Sequence, residues 1–241
     1  MPKCGVISNS PERWNWLRPS LLAVRKCLLP VLLIHAVSIA LVVAYFRIPA
    51  LATWASSVGA LKDRTGFVGA FIAGAIAGGI LSEIAKAVTG MSGPWNPKYA
   101  RRVAWTAFVY GVVGICIDAL YQLIALLFGH RSDVGMVLIK VGFDLLVYTP
   151  LVTIPLAAAL LSWMKLDFAR GFWKRAISWR FYKAKVLMTL PLCYAYWVPI
   201  CCCLYALPLP IQFPFAVLME SAWSIMFVFL FADAGDSAED W

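Results

Sequence analysis

Apolar residues run along this chain in long stretches instead of alternating with polar ones. Six such segments stand out, at 27–46, about 67–88, 103–129, about 136–164, 187–207 and 211–232. Each holds enough residues to cross a hydrocarbon layer of about 30 Å as a helix, which needs about 20. A helix satisfies its own backbone hydrogen bonds, and lipid offers nothing in exchange for them. The pattern predicts an all-α fold, a polytopic transmembrane helical bundle of six membrane segments. The connection 165–186 is too charged to cross. There Leu166, Ala169, Phe172, Trp173 and Ala176 recur at helical spacing, while Arg170, Lys174 and Arg175 point elsewhere. This stretch predicts one interfacial amphipathic helix in the headgroup zone.

Composition agrees with that class. Of the 241 residues 62% are hydrophobic and 14% charged, against about 25% charged in soluble domains. The net charge is +9. Sixteen of the 21 Lys and Arg residues fall in the leader, the second-to-third connection with its edge, and the fourth-to-fifth connection. The other five (Arg47, Lys62, Arg64, Arg131 and Lys140) fall on the opposite side. Six crossings with both termini on the basic side fit that asymmetry. The charge thus marks orientation, and no nucleic-acid motif accompanies it. The expected partners are the lipid bilayer and anionic lipid at the 165–185 loop.

Three parts follow: an N-terminal extension over 1–65 with one transmembrane helix at 27–46, a membrane bundle over 66–232, and an acidic tail over 233–241. The "ALA" at 50–52 looks like a signal-peptide cleavage site. The apolar stretch before it is longer than the roughly 7–15 residues of a signal sequence, so a retained anchor is expected. "GAIAG" at 74–78 has the G-x-x-x-G spacing that lets helix backbones approach closely. Packing inside the bundle is the expected use, and a homo-oligomer contact is the other. The seven cysteines form no C-x-x-C pair and there are two histidines, so no metal or cofactor is expected. Cys201, Cys202 and Cys203 diverge around a helix, which suits small core cysteines.

Ionisable residues lie deep in several segments. Asp118 is central in the third and Glu220 in the sixth. A charge at the bilayer centre costs about 2.5–3.5 kcal/mol on insertion scales. Asp118, Tyr121 and Gln122 are spaced i, i+3, i+4 on one helix face. Gln212, Glu220 and Ser224 form a looser stripe, and Lys140, Asp144 and Tyr148 a third. One reading is a polar path between helices lined by Asp118, Glu220 and a Lys140–Asp144 pair. The other is a set of satisfied packing contacts, with Lys140 and Asp144 as an i, i+4 ion pair near the headgroups. His35 reads as a satisfied polar contact, and "GHRSD" at 129–133 as a polar turn. No nucleophile elbow, metal box or phosphate loop occurs, so the chain is not expected to be an enzyme.

Lys140, then Asp144, then Pro150 follow a Lys, Asp, Pro spacing found in the middle helix of the peroxisomal membrane protein 22 kDa family, the Mpv-type proteins. Gly114 and Tyr121 fit that family's preceding helix, with Arg101 and Arg102 upstream. Trp179, Trp197, Tyr205, Pro208 and Trp223 follow the order of its C-terminal aromatics and proline. Departures are Ile115, Asp118, Leu120, Leu145, Cys201, Leu204 and Gln212, where the family has other residues. Over about 67–230 the chain resembles a distant member of this family. The resemblance implies a small polytopic protein tied to solute passage, channel-like in some members. The leader is not a clear transit peptide, so the expected location is a bacterial inner membrane or, in a eukaryote, a mitochondrial inner or peroxisomal membrane. The combined expectation is a protein that forms or regulates a small-solute pathway, with a non-conducting structural or assembly factor as the alternative.

Overall fold

The computed structural model describes residues 22, 24–25, 27–88, 90 and 92–232, with side chains as far as Met226. Lys3, Cys4, Arg13, Arg18, Lys26 and the acidic tail 233–241 lie outside the described residues. Every regular element among the described residues is helical.

The first segment forms α1, Leu28–Arg47. Extended Ile48 ends it, and Pro49 starts α2, Pro49–Gly74, at a position where a missing N–H costs nothing. Helix α2 is broken at Gly66, whose φ of 53° and ψ of −138° are not helical. A π-helical turn, Ala75–Ile80, carries the chain into α3, Leu81–Val88. The sequence places the second segment at 67–88, but the helix begins at Pro49, because small and polar residues at 52–60 do not stop a helix that tertiary contacts support.

Helix α4, Pro97–Phe128, is capped by Asn96, whose Oδ1 accepts the Tyr99 N–H at 2.9 Å, and Gly129 ends it with φ 71°. Asp133 caps α5, Val134–Phe143, and its Oδ1 accepts the Met136 N–H. A π-helical stretch, Asp144–Thr153, follows and runs into α6, Ile154–Lys165. Pro150 lies in that stretch. A proline ring clashes with the carbonyl one turn back, and a widened turn relieves the clash.

The predicted amphipathic helix over 165–186 is not one helix. Asp167 and Phe168 take positive φ and stop α6. Two short pieces follow, α7, Phe172–Ala176, and α8, Trp179–Phe181, with a π turn at Tyr182–Leu187. Then come α9, Leu190–Tyr205, and α10, Leu209–Ala232. Four helical stretches are long and apolar enough to cross a membrane: Leu28–Arg47, Pro49–Val88, Pro97–Phe128 and Val134–Lys165. A fifth arises if Trp179–Leu187 and Leu190–Tyr205, bent by 48°, count as one span.

Helix α9 supplies the centre of the core, where Tyr196, Ile200, Leu204 and Tyr205 are fully buried. Helices α2 and α4 meet backbone to backbone. A Cβ on Gly114 would lie 2.5 Å from the Ala70 carbonyl oxygen and 3.1 Å from the Gly74 Cα. The 74–78 glycines therefore serve packing within the chain. Outward, the bundle shows Leu29, Leu33, Leu126, Leu138, Leu146 and Leu151, all exposed. Asp118, Lys140 and Asp144 are buried instead. Large apolar side chains outside and charges inside is the arrangement lipid requires.

Candidate functional site

The kink at Gly66 swings the first part of α2 across the bundle, so that Lys62 faces Asp118 of α4. The two form an ion pair, with Lys62 Nζ donating to Asp118 Oδ1. The Asp118 side chain is 2% exposed and that of Lys62 15%. A buried carboxylate is tolerated when a cation and a hydrogen-bond donor both reach it. Gln122 supplies that donor, with Nε2 3.0 Å from Oδ2. The Lys62 ammonium also lies 5.7 Å from the centre of the Phe213 ring, within range of a cation–π contact.

These groups line a recess of about 360 Å³, closed on its other sides by Asp63, Gly66, Phe67, Tyr121 and Pro210. Gly59 makes the close approach behind it possible, since a Cβ there would sit 2.8 Å from the Pro210 carbonyl oxygen. Tyr121 forms the inner wall. Its ring meets the Tyr205 ring edge-on, with centroids 5.9 Å apart.

Asp144 lies beyond this wall. Its Oδ2 accepts the Tyr205 hydroxyl at 2.8 Å, with the Cys201 Sγ at 3.7 Å. Its Oδ1 accepts the Thr149 hydroxyl at 3.0 Å. No cation pairs with it among the described residues. The predicted Lys140–Asp144 pair does not form. Lys140 Nζ turns back to donate to the carbonyls of Gly129, at 2.9 Å, and Arg131, at 2.8 Å. Gly129 ends α4, and the freed carbonyls of a helix end attract a cation. Sequence spacing put Lys140 within reach of Asp144, but two carbonyls held by a tight turn compete better than one carboxylate already served by three donors.

The stripe of Gln212, Glu220 and Ser224 also splits. Gln212 Nε2 donates to the Leu207 carbonyl at 2.9 Å. Glu220 faces a crevice of about 20 Å³ between Gly74, Gly114 and Tyr110, room for about one water molecule. Tyr148 leaves its stripe to donate to the Cys116 carbonyl at 2.8 Å. His35 Nε2 lies 2.9 Å from the Tyr196 carbonyl oxygen, a satisfied contact.

The family-pattern residues take structural places. Gly114 is a helix-crossing point, Pro150 lies in the π-helical stretch, and the carbonyl of Pro208 accepts the Ile211 N–H at the start of α10. Trp179 stacks on Tyr182, while Trp197 and Trp223 both pack against Tyr196. The six described cysteines are free thiols. No set of three or more His, Cys, Asp or Glu side chains capable of holding a metal occurs among the described residues.

Sequence reasoning missed Lys62 and Tyr205. In the sequence Lys62 counts only toward the charge asymmetry and Tyr205 only toward the family pattern, since nothing local points to a partner on another helix. No family model, curated protein or solved structure matches the chain.

Proposed function

We propose that the chain is an integral membrane protein that forms or regulates a small-solute pathway, with six crossings of which Leu209–Ala232 is the sixth. The observation that supports this best is the recess of about 360 Å³ that ends on the buried Lys62–Asp118 pair. An ionisable side chain inside a membrane bundle is by default a candidate for a solute or ion route. Behind the recess, Tyr121 and Tyr205 stand between it and Asp144, the geometry of a constriction with a polar group on either side. The resemblance to the peroxisomal membrane protein 22 kDa family points to the same class of activity, although Asp118 departs from that pattern.

The purified protein reconstituted in planar bilayers or in liposomes should pass small solutes. Tyr121→Ala, which shortens the wall, should raise the flux, and Asp118→Asn should change its ion preference. Absence of current and tracer flux for wild type at every voltage and pH tried sinks the proposal.

A second reading, a non-conducting structural or assembly factor, draws on the complete partnering of Asp144 and Lys140. Asp144→Asn separates the two. Loss of folded protein favours the structural role, and folded protein with altered flux favours the pathway.

A further inference from the structure

The recess that ends on Lys62 and Asp118 already holds an ammonium group. Lys62 Nζ donates to Asp118 Oδ1 on α4, has Asp63 Oδ1 at 3.8 Å on its own helix, and lies 5.7 Å from the centre of the Phe213 ring on α10. Carboxylate oxygens and an aromatic face are the surroundings that bind an ammonium cation. The lysine is thus a tethered example of the group this space accommodates.

The charge of the walls points the same way. The ionised groups lining the recess are Lys62, Asp63 and Asp118, so one cation stands against two anions and the sum is −1. Lys62 is held by Asp118, so the one charged donor that an anion would need is already engaged. Asp63 is different. Its side chain is 56% exposed, and its contact with Lys62 is a long one at 3.8 Å. A carboxylate has about four acceptor sites, so a second cation can share it. A cleft with an excess of one sign and low-dielectric walls concentrates solutes of the opposite sign.

The rest of the wall is apolar, with Phe67, Tyr121, Leu209, Pro210 and Phe213. Phe67 is 50% exposed, a ring that a solute can reach. A hydrated metal ion gains little from such walls. An organic cation uses both features, its charge on the carboxylate and rings, its hydrocarbon body on the apolar side chains. A volume of about 360 Å³ falls at the lower end of the range for small-molecule sites.

We propose that the recess selects small organic cations, an ammonium group on an apolar body, over anions. The ammonium takes Asp63 beside Lys62, and the body lies against Phe67, Leu209 and Pro210. The inference rests on the proposed solute pathway for its route, and on the recess alone for its binding.

The test uses the full chain in an uncharged detergent. Labelled butyltrimethylammonium and butanesulfonate share a butyl body and carry fixed charges of opposite sign. Each is titrated by equilibrium dialysis, with empty micelles as the blank. The cation should bind about tenfold more tightly than the anion. Asp63 and Phe67 are exposed, so substituting them leaves the core intact. Asp63→Asn and Phe67→Leu should each weaken cation binding about threefold, and Asp63→Lys should reverse the preference. Equal binding of the two probes, tighter binding of the anion, or binding of neither overturns the selection. Unchanged cation binding in Asp63→Asn overturns it as well. Liposomes carrying the protein separate this inference from the pathway. Faster entry of the cation than of the anion supports both. Equal entry of the two overturns the selection and leaves the pathway standing, whereas entry of neither with the cation still bound sinks the pathway and leaves the site.

Discussion

At the residue scale, Asp118 shows how one buried charge makes its surroundings obligatory. Removing Lys62 as Lys62→Met leaves a carboxylate stranded, which costs about 3–5 kcal/mol. Lys62→Met combined with Asp118→Leu removes both charges and should recover most of that loss. Denaturant or thermal unfolding in detergent checks the pair, and equal stability of single and double variants would contradict the ion pair. Gly114 makes a different kind of demand. Gly114→Ala drives a methyl against the Ala70 backbone, so the α2–α4 contact must open, at about 1–3 kcal/mol. Gly142 has open space around its missing Cβ, and Gly142→Ala should be neutral or raise stability by up to about 1 kcal/mol. The two substitutions are chemically identical, so the difference between their melting temperatures isolates the crossing.

At the element scale, the break at Gly66 decides where Lys62 goes. Its φ of 53° with ψ of −138° lies where side chains other than glycine's are strained, at about 1–3 kcal/mol. Gly66→Ala should therefore destabilise although nothing lies near its Cβ, and it should loosen the Lys62–Asp118 pair as well. Combining it with Asp118→Leu and finding less than additive losses would show that coupling. The π stretch at Asp144–Thr153 is the second element where the local sequence bends the helix. Pro150 cannot donate within a regular helix, and it sits in this widened stretch with its carbonyl accepting the Tyr182 hydroxyl at 3.1 Å. The 165–186 stretch failed as a single amphipathic helix because helical spacing says nothing about the left-handed turn at Asp167 and Phe168.

At the scale of the whole molecule, the proposed six-crossing arrangement puts Lys62 and Lys140 on the side with few basic residues, and Lys165 and Arg170 on the basic side. In a background lacking the seven native cysteines, Asp63→Cys and Arg170→Cys should react with an impermeant maleimide from opposite faces of sealed vesicles. Labelling of both from one face would contradict the six-crossing arrangement.

The sequence by itself determined that the long apolar runs are helical. Long runs such as 27–46 and 103–129 have one solution in hydrocarbon, because only a helix satisfies the backbone there. It also marked Asp118 as deep and costly, since an isolated charge among apolar neighbours has few places to go. What the tertiary structure alone decided is who partners whom. Lys62 reaches Asp118, Tyr205 reaches Asp144, and Lys140 leaves its near neighbour for the end of α4. Helical spacing carries contacts along one face of one helix, and these partners come from different helices, brought together by glycine crossings and a kink that no local pattern encodes.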